Sequence, residues 1–245
     1  MTISRVLKPE IFSHIPQLVA GISTRHGGVS SQAYQSLNLG VHTDDDPSSI
    51  SQNLSLFCSD LGISPESLAR TYQVHGDQIW TTRDAGYVNG FDAIVSDSPG
   101  IFAGVGIADC CPILLADPIR QTAAAIHAGW KGTVQEIVRK TAEQLIASGS
   151  NPADMLAYIG PCISLEHFEV GDEVAEQFKF KEKRGARWHV DLKATNAAQL
   201  QDLGVSQIEI SDYCTVENND LFFSHRNEKG ITGRMLAVIG FQRRG

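Results

Sequence analysis

Ile101-Phe102-Ala103-Gly104-Val105-Gly106-Ile107-Ala108-Asp109-Cys110-Cys111-Pro112-Ile113-Leu114-Leu115-Ala116-Asp117-Pro118 holds two apolar runs, Ile101–Ile107 and Pro112–Ala116. Each is too short for a buried helix and bounded by turn-forming residues, so both read as buried strands. Asp117-Pro118 is a turn signal, and Thr122–Ile126 follows as a third strand. Upstream, Gln78–Thr81 and Ala93–Ser96 are two more short apolar runs, and Val19–Ser23 leads into the glycine-paired loop Thr24–Ser30. Asp46-Pro47 predicts a helix start, Ile50, Leu54, Phe57 and Leu61 give that helix an apolar stripe that also includes Cys58, and Gly62 ends it. Thr133–Ala147 predicts a second helix, with Thr133 and Glu136 spaced as a capping box. Beyond it the pattern alternates: strand Met155–Ile159, helix Gly171–Phe180, strand Trp188–Leu192, helix Thr195–Leu203, then strands Gln207–Ile210, Leu221–Ser224 and Arg234–Phe241. Strands outnumber helices and often adjoin, which predicts an α+β domain with mixed sheets rather than a βαβ repeat. No repeat or linker divides the chain, so residues 1–245 read as a single domain.

The 245 residues are 42% hydrophobic with a net charge of −8. That suits a sizeable core and disfavours a nucleic-acid binder, which is more often basic. No apolar run approaches a membrane span, and Met1 to Glu10 lacks the apolar core of a signal peptide. Five cysteines, two of them adjacent, argue against a disulfide framework and for a reducing, cytoplasmic setting.

His75, Cys110 and His127 are the candidate metal ligands. They sit in Gln73-Val74-His75-Gly76, Ala108-Asp109-Cys110-Cys111-Pro112 and Ile126-His127-Ala128-Gly129-Trp130. Two imidazoles and a thiolate suit Zn²⁺, with Cu²⁺ possible at the same site. Three protein ligands leave a fourth position open, as in catalytic zinc sites. Their spacing is not diagnostic, since no CxxC, HExxH or HxH pair occurs. By itself this reading leaves room for a buried thiol and two hydrogen-bonded histidines. Gly129-Trp130-Lys131-Gly132 leads into the Thr133 helix start, which, with Lys131 and Arg25, predicts an anion site beside the metal. Asp109 is the candidate general acid or base. His26 and His225 are candidate substrate contacts, whereas Tyr72, Trp80 and Trp130 read as core.

Several segments resemble the YfiH-type family, also described as laccase-domain or polyphenol-oxidoreductase proteins. Ser23–Ser30, Ser36–Gly40, Gln73–Gly76, Ala108–Cys110 and His127–Trp130 carry the resemblance. So do Ile159–Pro161, Glu169–Gly171, Phe222–Ser224 and Thr232–Met235, all in family order. The resemblance implies a layered α/β/β/α fold and zinc ligands at His75, Cys110 and His127. It implies phosphorolysis of adenosine, inosine and S-methyl-5′-thioadenosine, and deamination of adenosine. Polyphenol oxidation and editing of peptidoglycan precursors are further activities described for the family. The chain departs from the family at Lys131, Leu54 and Asn227, where arginine is frequent.

The chemistry leaves competing classes. A multicopper oxidase needs many paired histidines, and the eight here include none within two residues of another. Cys110 with His127 or His75 as base would make a metal-free hydrolase. A non-catalytic, zinc-braced binding protein would need a fourth protein ligand; Cys111 and His42 are the candidates, and Cys111 points the wrong way along an extended segment.

Overall fold

A computed structural model describes residues 4–243; the outermost residues of the Met1–Glu10 stretch and of the C-terminus lie outside it. Two six-stranded sheets and a three-stranded ribbon carry the strands. In spatial order the first sheet is Val6–Leu7, Leu18–Ser23, Met235–Phe241, Phe102–Ile107, Leu68–Tyr72 and Gly86–Asn89. The second is Gln207–Ile210, Leu156–Ile159, Cys111–Asp117, Thr122–Ala128, Ala93–Ser96 and Ile79–Thr82. Both are mixed: Leu68–Tyr72 runs parallel to both its neighbours, whereas Cys111–Asp117 and Thr122–Ala128 form an antiparallel hairpin.

The sheets face each other, and this explains the unbroken apolar runs. Leu114, Ala125, Val105, Ile107, Ala237 and Ile239 fill the space between them. The alternate residues of the second sheet, Ile113, Leu115 and Ile126, point outward against Ile137, Leu145 and Leu200 of helices Ile137–Ala147 and Leu192–Asp202. Helix Pro47–Leu61 covers the first sheet through Phe57, Cys58 and Leu61, packed on Leu236 and Val238. A strand buried on both faces has no polar face to show in its sequence. The result is the layered α/β/β/α arrangement, with each large buried side chain contributing about 1.5–3 kcal/mol.

Local signals locate the first helix closely. Asp46 accepts from the amides of Ser48 and Ser49, and Gly62 closes the helix at φ 68°. Elsewhere local pattern misleads. The expected Thr133–Ala147 helix is two helices, Trp130–Val134 and Ile137–Ala147, broken where Glu136 adopts φ 61°. No capping box forms, because Thr133 lies inside the first helix, its amide bonded to Gly129 O and its hydroxyl buried against Asn196. Gly171–Phe180 shrinks to one turn, Asp172–Ala175, and Lys181–Arg184 joins Arg187–Val190 and Glu169–Val170 in the ribbon. Leu221–Ser224 forms turns rather than a strand. Strands Leu68–Tyr72 and Gly86–Asn89, unannounced in the sequence, complete the first sheet, because their polar residues face a cavity rather than a core.

Candidate functional site

The hairpin register sets Cys111 opposite Ala128 and Pro112 opposite His127, so Cys110 and His127 meet at its open end. His75 arrives from the loop after Leu68–Tyr72. Gln73 steers that loop by imitating a strand: its amide donates to Gly106 O and accepts from Gly106 N, both at 2.8 Å. The ligand atoms of His75, Cys110 and His127 lie within 4.8 Å of one another, and the imidazole centroids are 4.8 Å apart at 80°.

Asp92, absent from the sequence expectations, organises this cluster. It is fully buried and accepts the amides of Val74 (3.1 Å), His75 (2.9 Å) and Gly76 (2.8 Å). It also accepts His127 Nδ1 at 2.7 Å, which fixes the ring and leaves Nε2 for a ligand. Burial pushes the Asp92 carboxyl up, but these hydrogen bonds outweigh it and the net shift is downward. The one available signal was a carboxylate opening the short, largely apolar run Ala93–Ser96.

Glycine makes the convergence possible. A Cβ on Gly129 would stand 3.1 Å from Cys110 Sγ and 3.2 Å from His75 Cδ2, and one on Gly132 would stand 2.9 Å from Gly76 O. Burial alone would raise the Cys110 thiol, but His127 and His75 outweigh it and hold it down at about 6. Burial would likewise lower His127, but Cys110 and Asp92 raise it to about 9. The cluster therefore favours a thiolate at neutral pH, the form that binds metal. The donors fit a borderline-soft divalent ion: one sulfur, two imidazole nitrogens and a buried carboxylate behind one of them. Cys111 is buried in the core with its thiol against Cys162, so it offers no fourth ligand.

The cluster forms one end of a cavity of about 530 Å³. Asp109, His225, Arg226 and Arg234 line it near the cluster. Asp109 faces the cavity with both oxygens already engaged, by Thr215 Oγ1 and by the amide of Arg226, each at 2.6 Å. It thus ties the loop bearing His225 to the segment of Cys110, the positioning role that stands beside the acid or base role expected of it. Arg234, also missed, donates Nη1 to the carbonyls of Thr232 and Gly233.

The expected anion site does not form around Arg25 and Lys131. Arg25 bonds the carbonyls of Gln35 and Asn219 and pairs with Glu228 at 3.0 Å, bracing two loops away from the cavity. His26 hydrogen-bonds Asp220 O and likewise does not line it. Lys131 is exposed, with Nζ 5.6 Å from the Trp130 ring. The helix that begins beside His127 is Trp130–Val134, too short to carry the dipole expected of a Thr133 start. Tyr72, expected in the core, is exposed and lines the cavity; Trp130 lines the cavity and also packs against the outer core, and Trp80 packs against the inter-sheet core.

The family described as multi-copper polyphenol oxidoreductase laccase matches residues 19–242. The chain belongs to this family. Among its relatives, the chain is similar to the purine nucleoside phosphorylase of Deinococcus radiodurans, 41% identical over 91% of this chain and 88% of the relative. It is also similar to the purine nucleoside phosphorylase YfiH of Escherichia coli, 36% identical over 89% of this chain and 91% of the relative. Its fold matches the crystal structure of YlmD from Geobacillus stearothermophilus with a TM-score of 0.92, at 30% identity, covering 99% of this chain and 98% of that one. The family name refers to copper; beside the His75, Cys110 and His127 set, His167, Cys214 and Glu217 also bring their ligand atoms within 4.8 Å of one another. No helix among the described residues is long and apolar enough to cross a membrane.

Proposed function

We propose that this chain is a zinc-dependent purine nucleoside phosphorylase acting on inosine, adenosine or S-methyl-5′-thioadenosine, with His75, Cys110 and His127 holding the metal. The reading is carried by the convergence of those donors, within 4.8 Å, in the wall of a nucleoside-sized cavity. The names of the relatives support it. When bound, zinc supplies a Lewis-acidic contact for an anionic oxygen. Arg234 is the phosphate-binding candidate: it lines the cavity near Cys110 and Asp109, and its contacts to Thr232 and Gly233 occupy only Nη1. His225, held by the Asp109–Arg226 contact, is a candidate contact for the ribose. Asp92 and Asp109 position ligands and loops. The enzyme works on small molecules rather than nucleic acid or membrane, and the reducing cytoplasm suits its thiolate.

The test combines metal analysis with product analysis. Purified protein is expected to hold one zinc at this cluster and to convert inosine and phosphate to hypoxanthine and ribose 1-phosphate. Cys110→Ala should lose both, whereas Lys131→Ala should leave the phosphate KM within about two-fold. Ammonia and inosine from adenosine without phosphate would reveal the deaminase activity that the family resemblance implies. Full turnover in metal-free Cys110→Ala would overturn the reading.

A further inference from the structure

The cavity has a second end, built from the two strands the sequence did not announce. Arg70 and Tyr72 sit two positions apart on Leu68–Tyr72, hence on one face. The neighbouring strand pairs Tyr87 directly with Arg70, and the guanidinium lies 5.9 Å from the Tyr87 ring centroid. His42 joins the two tyrosines, bonding Tyr87 Oη at 2.6 Å and meeting the Tyr72 ring edge-on at 4.4 Å. Tyr72 is 44% exposed and Tyr87 40%, so both retain surface open to a ligand. Gly104, the partner of Arg70 on the next strand, and Gly106 line the cavity without side chains.

Arg70 differs from the other arginines in the wall. Arg226 donates to the carbonyls of His167 and Glu169, and Arg234 to those of Thr232 and Gly233. Among the described residues nothing accepts a hydrogen bond from Arg70, and no carboxylate pairs with it. A partly buried guanidinium with five unspent donors is costly unless a ligand brings acceptors. Open aromatic surface beside it favours a flat ligand. An arginine fork matches two acceptors spaced as O6 and N7 of a 6-oxopurine. Adenine offers N7 but sets an amino donor against the guanidinium.

Resting on the nucleoside reading above, we propose that Arg70 reads the O6/N7 edge of the base and makes this chain selective for 6-oxopurine nucleosides over adenosine. Phosphate occupies the other end, beside Arg234 and the His/Cys cluster. In phosphorolysis a phosphate oxygen forms the new bond at C1′ while the C1′–N9 bond breaks. The bonding pair leaves with the purine, and its charge spreads onto O6 and N7, where the Arg70 donors lie. Arg70 thus contacts the base in the ground state and takes up charge as the base departs.

Calorimetry with hypoxanthine and with adenine tests base reading on the zinc-loaded protein, in the absence of phosphate and of any turnover. The wild type is expected to bind hypoxanthine at least about ten-fold more tightly. Arg70→Met should bring the two affinities within about two-fold, chiefly by weakening hypoxanthine. Arg70→Lys, which keeps the charge and most of the packing but not the fork, should also lose most of the preference at an unchanged melting temperature. With inosine and phosphate, Arg70→Lys should lower kcat/KM for inosine relative to adenosine and leave the phosphate KM unchanged. Equal binding of the two bases by the wild type, or a preference that survives Arg70→Lys, would overturn the proposal. So would a rise in phosphate KM with an unchanged base preference, since Arg70 would then serve phosphate. A preference for hypoxanthine that depends on Arg70, in a protein without phosphorolysis, would sink the phosphorylase reading and leave base reading intact.

Discussion

Asp92→Asn tests the architecture of the cluster. The native carboxylate takes three amides and His127 Nδ1, at 2.7–3.1 Å, with none of its surface exposed. Asparagine keeps one oxygen but turns an NH₂ toward groups that are themselves donors. Whichever way the amide is flipped, at least one bond is lost and a donor faces a donor. Lost hydrogen bonds to a charged group cost about 1.5–3 kcal/mol each, and breaking a buried pair about 3–5 kcal/mol. The variant should therefore lose about 3–5 kcal/mol, a large share of a stability of about 5–15 kcal/mol. The backbone bond from His127 N to Asp92 O survives, so the strand end should keep its course. With the His127 ring freed and the His75 loop loosened, zinc affinity should fall about 10–100-fold. Denaturant unfolding measures the first effect and competition with a chromogenic chelator the second. Zinc affinity within two-fold of wild type, with stability reduced by less than about 1 kcal/mol, would refute the claim that Asp92 positions the ligands.

Gly129→Val should abolish stoichiometric zinc binding while a folded circular-dichroism spectrum persists, because its side chain would enter the space between Cys110 Sγ and His75 Cδ2; normal zinc content would show that the cluster tolerates a side chain there. Glu228→Gln should destabilise the protein near neutral pH and much less in acid. Burial raises the Glu228 carboxyl, but Thr232, the Ser224 amide, Arg25 and Asn219 outweigh it, so its net shift is downward. A depressed carboxyl contributes stability that is fully present above its unfolded pKa of about 4.3 and lost as pH falls through the lower folded value. Unfolding midpoints at pH 6 and pH 3 check the sign, and a gap that widens in acid would contradict it.

How legible each part was followed from how local its cause is. Helix Pro47–Leu61 was readable to the residue because Asp46, Pro47 and Gly62 act within one turn. The hairpin Cys111–Asp117 and Thr122–Ala128 was readable because strands buried on both faces must be apolar throughout. Thr133 and Glu136 have capping-box spacing, yet the chain had already entered a helix at Trp130, and packing of Thr133 against Asn196 outweighed the local signal. Arg25 and Lys131 were charges near the right motifs, but charge alone does not say which partner lies across a loop, and for Arg25 that partner is Glu228.

By itself, the apolar pattern of the sequence determined a mixed-sheet α+β core, because apolar period is a property of short segments; the layering and the choice of His75, Cys110 and His127 as donors came with the family resemblance. Which carboxylate holds the donors, and which arginines face the cavity, was decided only in three dimensions. Asp92 reaches His75 and His127 across the second sheet, and Arg70 meets Tyr87 through a parallel strand pair. Both contacts join residues far apart in the chain, and strand register rather than local spacing brings them together.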